Sequence, residues 1–138
     1  RGEVRVDFLT PARRRGDESP VAVPGLGLSA WPVPFLEYLI DEPVPAVSLG
    51  VRPALVRVPR PARFALHKLW TASHRAVSEQ AKAGEDRAQA AALIEVLAAD
   101  RPDDLAEAYR ALGPRSTARR RVDAELARLG TDFRTWRR

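Results

Sequence analysis

The chain has 138 residues, 45% of them hydrophobic, which suits one domain of ordinary size with its own core rather than a disordered tail. It has no cysteine and only two histidines, so a disulfide, a thiolate zinc site, a cysteine nucleophile and a three-histidine zinc within one chain are all excluded. Its 23 Lys and Arg against 18 Asp and Glu give a net charge of +5, an excess that favours an anionic partner: nucleotide, RNA or an acidic protein.

No apolar run approaches the roughly 18 residues that span a bilayer, and the first residues lack the layout of a signal peptide. A soluble chain with a cytoplasmic address and no membrane partner is expected. The sequence begins with Arg1 and contains no methionine, so it is expected to start inside a longer protein.

Along the chain, residues 3–9 alternate, with Val4, Val6 and Phe8 on one face and Arg5 and Asp7 on the other, which predicts a half-buried strand. Its neighbours should come from later hairpins and from a segment preceding Arg1. The polar run from Pro11 to Ser19 reads as an exposed loop. Most of the 12 prolines lie between Pro20 and Pro61, which forbids a long helix there but allows short strands at Val21–Val23, 44–49 and Ala54–Val58, with one helical turn or two at 35–40. In the same stretch Gly25-Leu26-Gly27-Leu28-Ser29-Ala30 fits a dinucleotide-binding pattern. That pattern works only where a helix N-terminus receives pyrophosphate, and Trp31-Pro32-Val33-Pro34 opposes a helix here, so the match reads as coincidence.

After Pro61 the composition turns to Ala, Leu, Arg and Glu at helical spacing, predicting about four helices. The first covers 61–75 with Ala65, Leu69 and Ala72 inward, and the second covers 82–99. The third is capped by Asp100, with Pro102 inside its first turn beside Asp103 and Asp104, and ends at Gly113-Pro114. The last covers 116–129, with Val122, Leu126 and Leu129 inward and Gly130 as its cap. The fold class is therefore α/β in the α+β sense: sheet strands and hairpins over 1–58, then a helical region over 59–138.

Several residues are candidates for chemistry. Asp7 could bind Mg²⁺ or accept a proton from an attacking hydroxyl, or it could be a solvated strand charge. Asp86 falls on the inward stripe with Ala90, Leu93 and Leu97, so a carboxylate there needs a partner, and Lys68 on the preceding helix is the candidate in kind. Such a pair would hold an ammonium ready for phosphate, or would be an ion pair between packed helices. Lys82, Glu85 and Gln89 lie on the neighbouring face. His67 and His74 share a helical face but make a poor zinc site without a carboxylate. The clusters Arg13-Arg14-Arg15, Arg119-Arg120-Arg121 and Arg134 with Arg137-Arg138 could contact a polynucleotide or form solvated faces, and Trp136 among them could stack on a base or dock on the bundle.

The strand with an aspartate, the proline-rich hairpins and the run Val56-Arg57-Val58-Pro59-Arg60-Pro61-Ala62-Arg63-Phe64-Ala65-Leu66-His67-Lys68-Leu69 together resemble a family of bacterial nucleotidyltransferase-fold proteins in the DNA polymerase beta-like superfamily. The resemblance extends through Glu85-Asp86-Arg87-Ala88-Gln89-Ala90 and is strongest over 4–10, 20–40 and 56–97. It implies Mg²⁺-dependent transfer of a nucleotide from a nucleoside triphosphate to an acceptor, RNA or protein, with three carboxylates on the sheet following a glycine-rich turn. By resemblance, Asp7 is the third carboxylate, and Lys68, Asp86 and Gln89 hold the nucleotide. The glycine turn and the first two carboxylates have no counterpart here, and Glu85 stands where the family has a basic residue. The resemblance thus implies the C-terminal part of such a protein, inactive as it stands. The alternative is a non-enzymatic basic module that binds RNA or an acidic protein.

Overall fold

A computed structural model describes residues 5–14, 16 and 19–130. The chain divides between Glu37 and Tyr38 into two compact units. The junction expected between residues 58 and 59 is the passage from the last strand to the first long helix, inside the second unit.

In the first unit, strands β1 (Leu9–Pro11), β2 (Val21–Val23) and β3 (Leu28–Val33) form a mixed sheet in the order β1-β3-β2, parallel on one side of β3 and antiparallel on the other. The glycine pattern is the β2–β3 turn. Gly25 and Gly27 take φ of +81° and +61°, the left-handed values that glycine adopts without steric cost, and Leu26 N–H donates to the Val23 carbonyl. No helix opens there; β3 begins at Leu28. Pro32 fits this strand because successive N–H groups face opposite edges. Trp31 N–H donates to the Phe8 carbonyl on the β1 side, so Pro32 nitrogen faces the side on which β2 pairing has ended at Val21↔Ala30.

The strand expected at 3–9 is a correction. Pairing starts at Leu9↔Trp31, so Asp7 lies ahead of β1 and not in the middle of a strand. The register carried back would set Arg5 opposite Gly27, where the partner chain turns away, and Val6 and Phe8 stay largely exposed. Val4 lies outside the described residues.

The unit boundary falls within a short helix, α1 (Leu36–Ile40). In the second unit, β4 (Val44–Ser48) and β5 (Ala54–Val58) pair as an antiparallel hairpin in register from Val44↔Val58 to Ser48↔Ala54. Four helices follow: α2 (Pro61–Ala72), α3 (Gln80–Asp100) after one 3₁₀ turn at Val77–Glu79, α4 (Pro102–Ala111) and α5 (Thr117–Arg128). Helix α2 is central, packing against α3, α4 and α5. The core is Leu66 and Leu69 of α2, Ile94 of α3, Leu105 of α4, and Val122 and Leu126 of α5. Leu93, expected inward, is half-buried while Ile94 takes the deep position, and Leu129 is also half-buried.

Among α2 to α5 only α5 has a side-chain N-cap; Arg60, Glu79 and Arg101 precede the others without a side-chain hydrogen bond. Ser116 caps α5 by accepting from Arg119 N–H at 2.9 Å, and Gly113 and Gly130 take φ of +80° and +65° just beyond α4 and α5. Asp100 does not cap α4: it is the last residue of α3, and Arg101 occupies the cap with no side-chain hydrogen bond. Pro102 at the first position removes one N–H needing a partner, and Arg101 pairs with Asp104 at 2.5 Å.

Leu66→Ala should cost about 2–5 kcal/mol by opening a cavity at the centre of the bundle, against about 1 kcal/mol for Ser116→Ala at the α5 cap. Urea unfolding checks this, as a larger fall in midpoint for the first variant with the slope unchanged in both.

Candidate functional site

The α2–α3 contact is lined by small side chains. Ala65 and Ala72 of α2, and Ala83 and Ala90 of α3, are buried, and this lets a short carboxylate on one helix reach the other. Asp86 occupies the buried stripe Ala83, Asp86, Ala90, Ile94, Leu97 at 4% exposure. Its Oδ1 accepts from Lys68 Nζ at 2.7 Å, the pairing expected from the sequence. Its Oδ2 accepts from Arg75 Nε at 3.2 Å and Nη2 at 3.1 Å. Arg75, just beyond the end of α2, also reaches Glu79 at 3.5 Å, and Lys82 stands 3.6 Å from the same carboxylate. The cluster holds three cations and two carboxylates, so it keeps a net positive charge.

Burial alone would push the Asp86 carboxyl up, but hydrogen bonds and charge from Lys68 and Arg75 outweigh it and hold the group below the ordinary aspartate value. The carboxylate therefore stays ionised. Beside it, His67 is pushed down to about 4, first by burial and then by the Lys68 charge, with Asp86 opposing. This imidazole is neutral at neutral pH. Lys68 also lies 5.5 Å from the Phe64 ring, which favours the ammonium electrostatically.

The other candidates separate. Asp7 belongs to the first unit, about half-exposed, with Arg5 Nε at 2.9 Å. Gln89 is on α3 one turn from Asp86 but exposed, since Ala90 continues the buried stripe. Glu85 is exposed as well. His74 stacks on Trp70 at 4.0 Å, away from any cluster, and no group of three or more possible metal ligands occurs among the described residues. Arg119 lies over the Tyr109 ring at 4.2 Å, Arg120 donates to Thr117, and Arg121 donates to the Ser73 carbonyl. Arg13 and Arg14 are exposed. Arg15, Arg134, Trp136, Arg137 and Arg138 lie outside the described residues.

Arg75, Glu79 and Glu125 were missed from sequence. Arg75 is seven residues after Lys68 and so was readable as the same helical face, but the helix ends before it. Glu125 is buried on α5 between Val122 and Leu126 and accepts from Arg87 Nε at 2.5 Å and from Arg128 at 3.3 Å. Its i+3 spacing from Val122 was the available signal.

A family model described as Nucleotidyltransferase matches residues 1–113, which takes in both β-sheets and helices α1 to α4. The chain belongs to this nucleotidyltransferase family. Its mixed α+β architecture agrees with a nucleotidyltransferase fold, its function is nucleotidyltransferase-like, and the family implies a nucleoside triphosphate as the general substrate class. The Lys68–Asp86–Arg75 cluster of the nucleotidyltransferase lies inside the matched span, whereas α5 lies beyond it. No curated protein and no solved structure matches the chain. Among the described residues no helix is long and apolar enough to cross a membrane.

Two outcomes follow from these charges. Asp86→Ala leaves Lys68 and Arg75 without their buried counter-charge and should cost about 3–5 kcal/mol, while Lys68→Met with Asp86→Leu should recover only part of that loss because Arg75 keeps only Glu79; denaturation of both variants measures this. His67 binds its proton in the unfolded chain near pH 6.5 but in the folded chain only near 4, so the unfolded state holds more protons between those values. Stability should therefore fall on acidification from about 6.5 to about 4 with a slope approaching 1.4 kcal/mol per pH unit, and His67→Phe should remove that component of a melting-versus-pH series.

Proposed function

We propose that this protein transfers a nucleotide from a nucleoside triphosphate to an acceptor; Lys68 of the second unit is proposed as a phosphate contact and Asp7 of the first unit as a carboxylate for the reaction, each argued from its own surroundings. The observation that carries the reading is the buried Asp86 carboxylate locked between Lys68 and Arg75 within the family-matched span. An ammonium has three N–H donors and Asp86 takes one, so a partly exposed Lys68 has donors to offer to phosphate. Asp86 sets the position of that ammonium, while Arg75 holds the other oxygen of the same carboxylate. Gln89, exposed one turn along α3, is a further polar contact for the nucleotide.

In this reaction an acceptor hydroxyl attacks the α-phosphorus, the bond to the β-phosphate oxygen breaks, and pyrophosphate leaves while the hydroxyl proton passes to a base. Asp7 is the carboxylate that the family likeness offers for that base; it is exposed and paired with Arg5. Mg²⁺ takes one or two protein carboxylates together with substrate phosphate oxygens, so Asp7 fits as one ligand. When bound there, the ion would neutralise charge on the phosphates. RNA and protein are the acceptor classes in view, and the positive balance of the chain favours an anionic one.

The test is pyrophosphate release from labelled triphosphate by the intact protein. Asp7→Asn should lower turnover at least a hundredfold with melting unchanged, and unaltered turnover would remove Asp7 from the reaction. Lys68→Gln should raise the triphosphate Kd about tenfold, equal to about 1.4 kcal/mol. An unchanged Kd would return the Lys68–Asp86 pair to a purely structural role.

A further inference from the structure

A second concentration of positive charge lies in the helical unit, where the end of α2, the start of α3 and the outer face of α5 enclose a cleft of about 240 Å³. Four guanidinium groups line it, those of Arg75, Arg87, Arg121 and Arg128, against the single carboxylate of Glu125. That carboxylate is buried and already occupied by Arg87 and Arg128, so it fixes the guanidinium groups without cancelling their sum. Arg75 is anchored from behind by Asp86. Arg121 has no carboxylate partner among the described residues and donates only a long 3.4 Å bond to the Ser73 carbonyl.

Arg75 and Arg87 each give their Nε and Nη2 donors to a buried carboxylate, which fixes them before a ligand arrives, and Arg121 with the exposed Arg128 supplies further donors for a multiply charged anion. The rest of the lining is Ala72, Ser73, Gln80 and Ala124. It includes no aromatic ring on which a base could stack and no apolar floor, so the chemistry recognises phosphate and not the group attached to it. Four of the lining residues, Arg121, Ala124, Glu125 and Arg128, stand on α5, beyond the span matched by the family model.

We infer that the Arg75–Arg87–Arg121–Arg128 cleft is a binding site for a diphosphate group, either inorganic pyrophosphate or the diphosphate end of a nucleotide, separate from the Lys68 contact proposed for the triphosphate. Binding needs no metal, and this distinguishes it from the transfer reaction: loss of Mg²⁺-dependent turnover would leave it standing.

Isothermal titration of the intact protein with inorganic pyrophosphate in EDTA is the test, with a nucleoside diphosphate and the bare nucleoside as parallel titrants. Saturable one-to-one pyrophosphate binding is expected, with Kd raised at least tenfold by Arg121→Gln and partly restored by Arg121→Lys, all three proteins melting alike. Equal affinity for pyrophosphate and the nucleoside diphosphate, with no binding of the bare nucleoside, supports a diphosphate site that does not read the base; tighter binding of the nucleoside diphosphate supports the same site with a nucleotide as its source. Absence of saturable binding, an Arg121→Gln Kd equal to the parent value, or binding of a short RNA that pyrophosphate fails to displace would overturn the inference.

Discussion

The helical unit turns on one requirement: a carboxylate placed inside a helix interface must have cations delivered to it. Asp86 interrupts the apolar stripe of α3, and leaving it uncompensated would cost more than any single contact around it supplies. Lys68 meets one oxygen from the middle of α2 and Arg75 meets the other from just beyond its end. The pairing fixes how α2 and α3 are rotated about their axes, because only one face of each can present these groups together. It also decides that the segment after α2 must fold back over α3, since Arg75 is needed there.

The next residue repeats the device in the opposite direction. Arg87 leaves α3 toward α5 and meets Glu125, which is as deeply placed in its interface as Asp86 is in the other. One turn of α3 thus sends a negative group to α2 and a positive group to α5. Ion pairs of this kind add little net stability over apolar residues of equal volume, but they discriminate strongly against wrong registers, in which a charge would be buried alone. The cations left partly exposed around both carboxylates are thereby held in fixed positions.

The sheet side follows a different logic. Its strands are short, and glycine or proline sits where each must end or turn, so local chemistry places the β2–β3 turn and the β4–β5 hairpin well. Alternation misled at the start of the chain. Val6 and Phe8 have the pattern of a half-buried strand, yet a strand also needs a partner of matching length, and β3 turns at Gly27 before it can supply one. β3 itself escaped notice because its prolines and its glycine motif spoke against a regular element. The structure reconciles Pro32 with the strand by facing its nitrogen away from the only neighbour still paired.

What could be read from composition and spacing was whatever depends on neighbours along the chain: the mixed class, the four helices, the glycine beyond the last of them, and the anomaly of an aspartate among inward residues that called for Lys68. These rest on periods of two and 3.6 residues and on the rotation preferences of glycine and proline, which act over a few residues. What needed the folded chain was every relation that crosses a loop. Arg75 lies outside its helix, Glu125 is 38 residues from Arg87, and Asp100 finishes one helix instead of starting the next. Such contacts are chosen by the packing of α2 against three helices at once, and no local rule records which distant side chain will come to stand beside a buried charge.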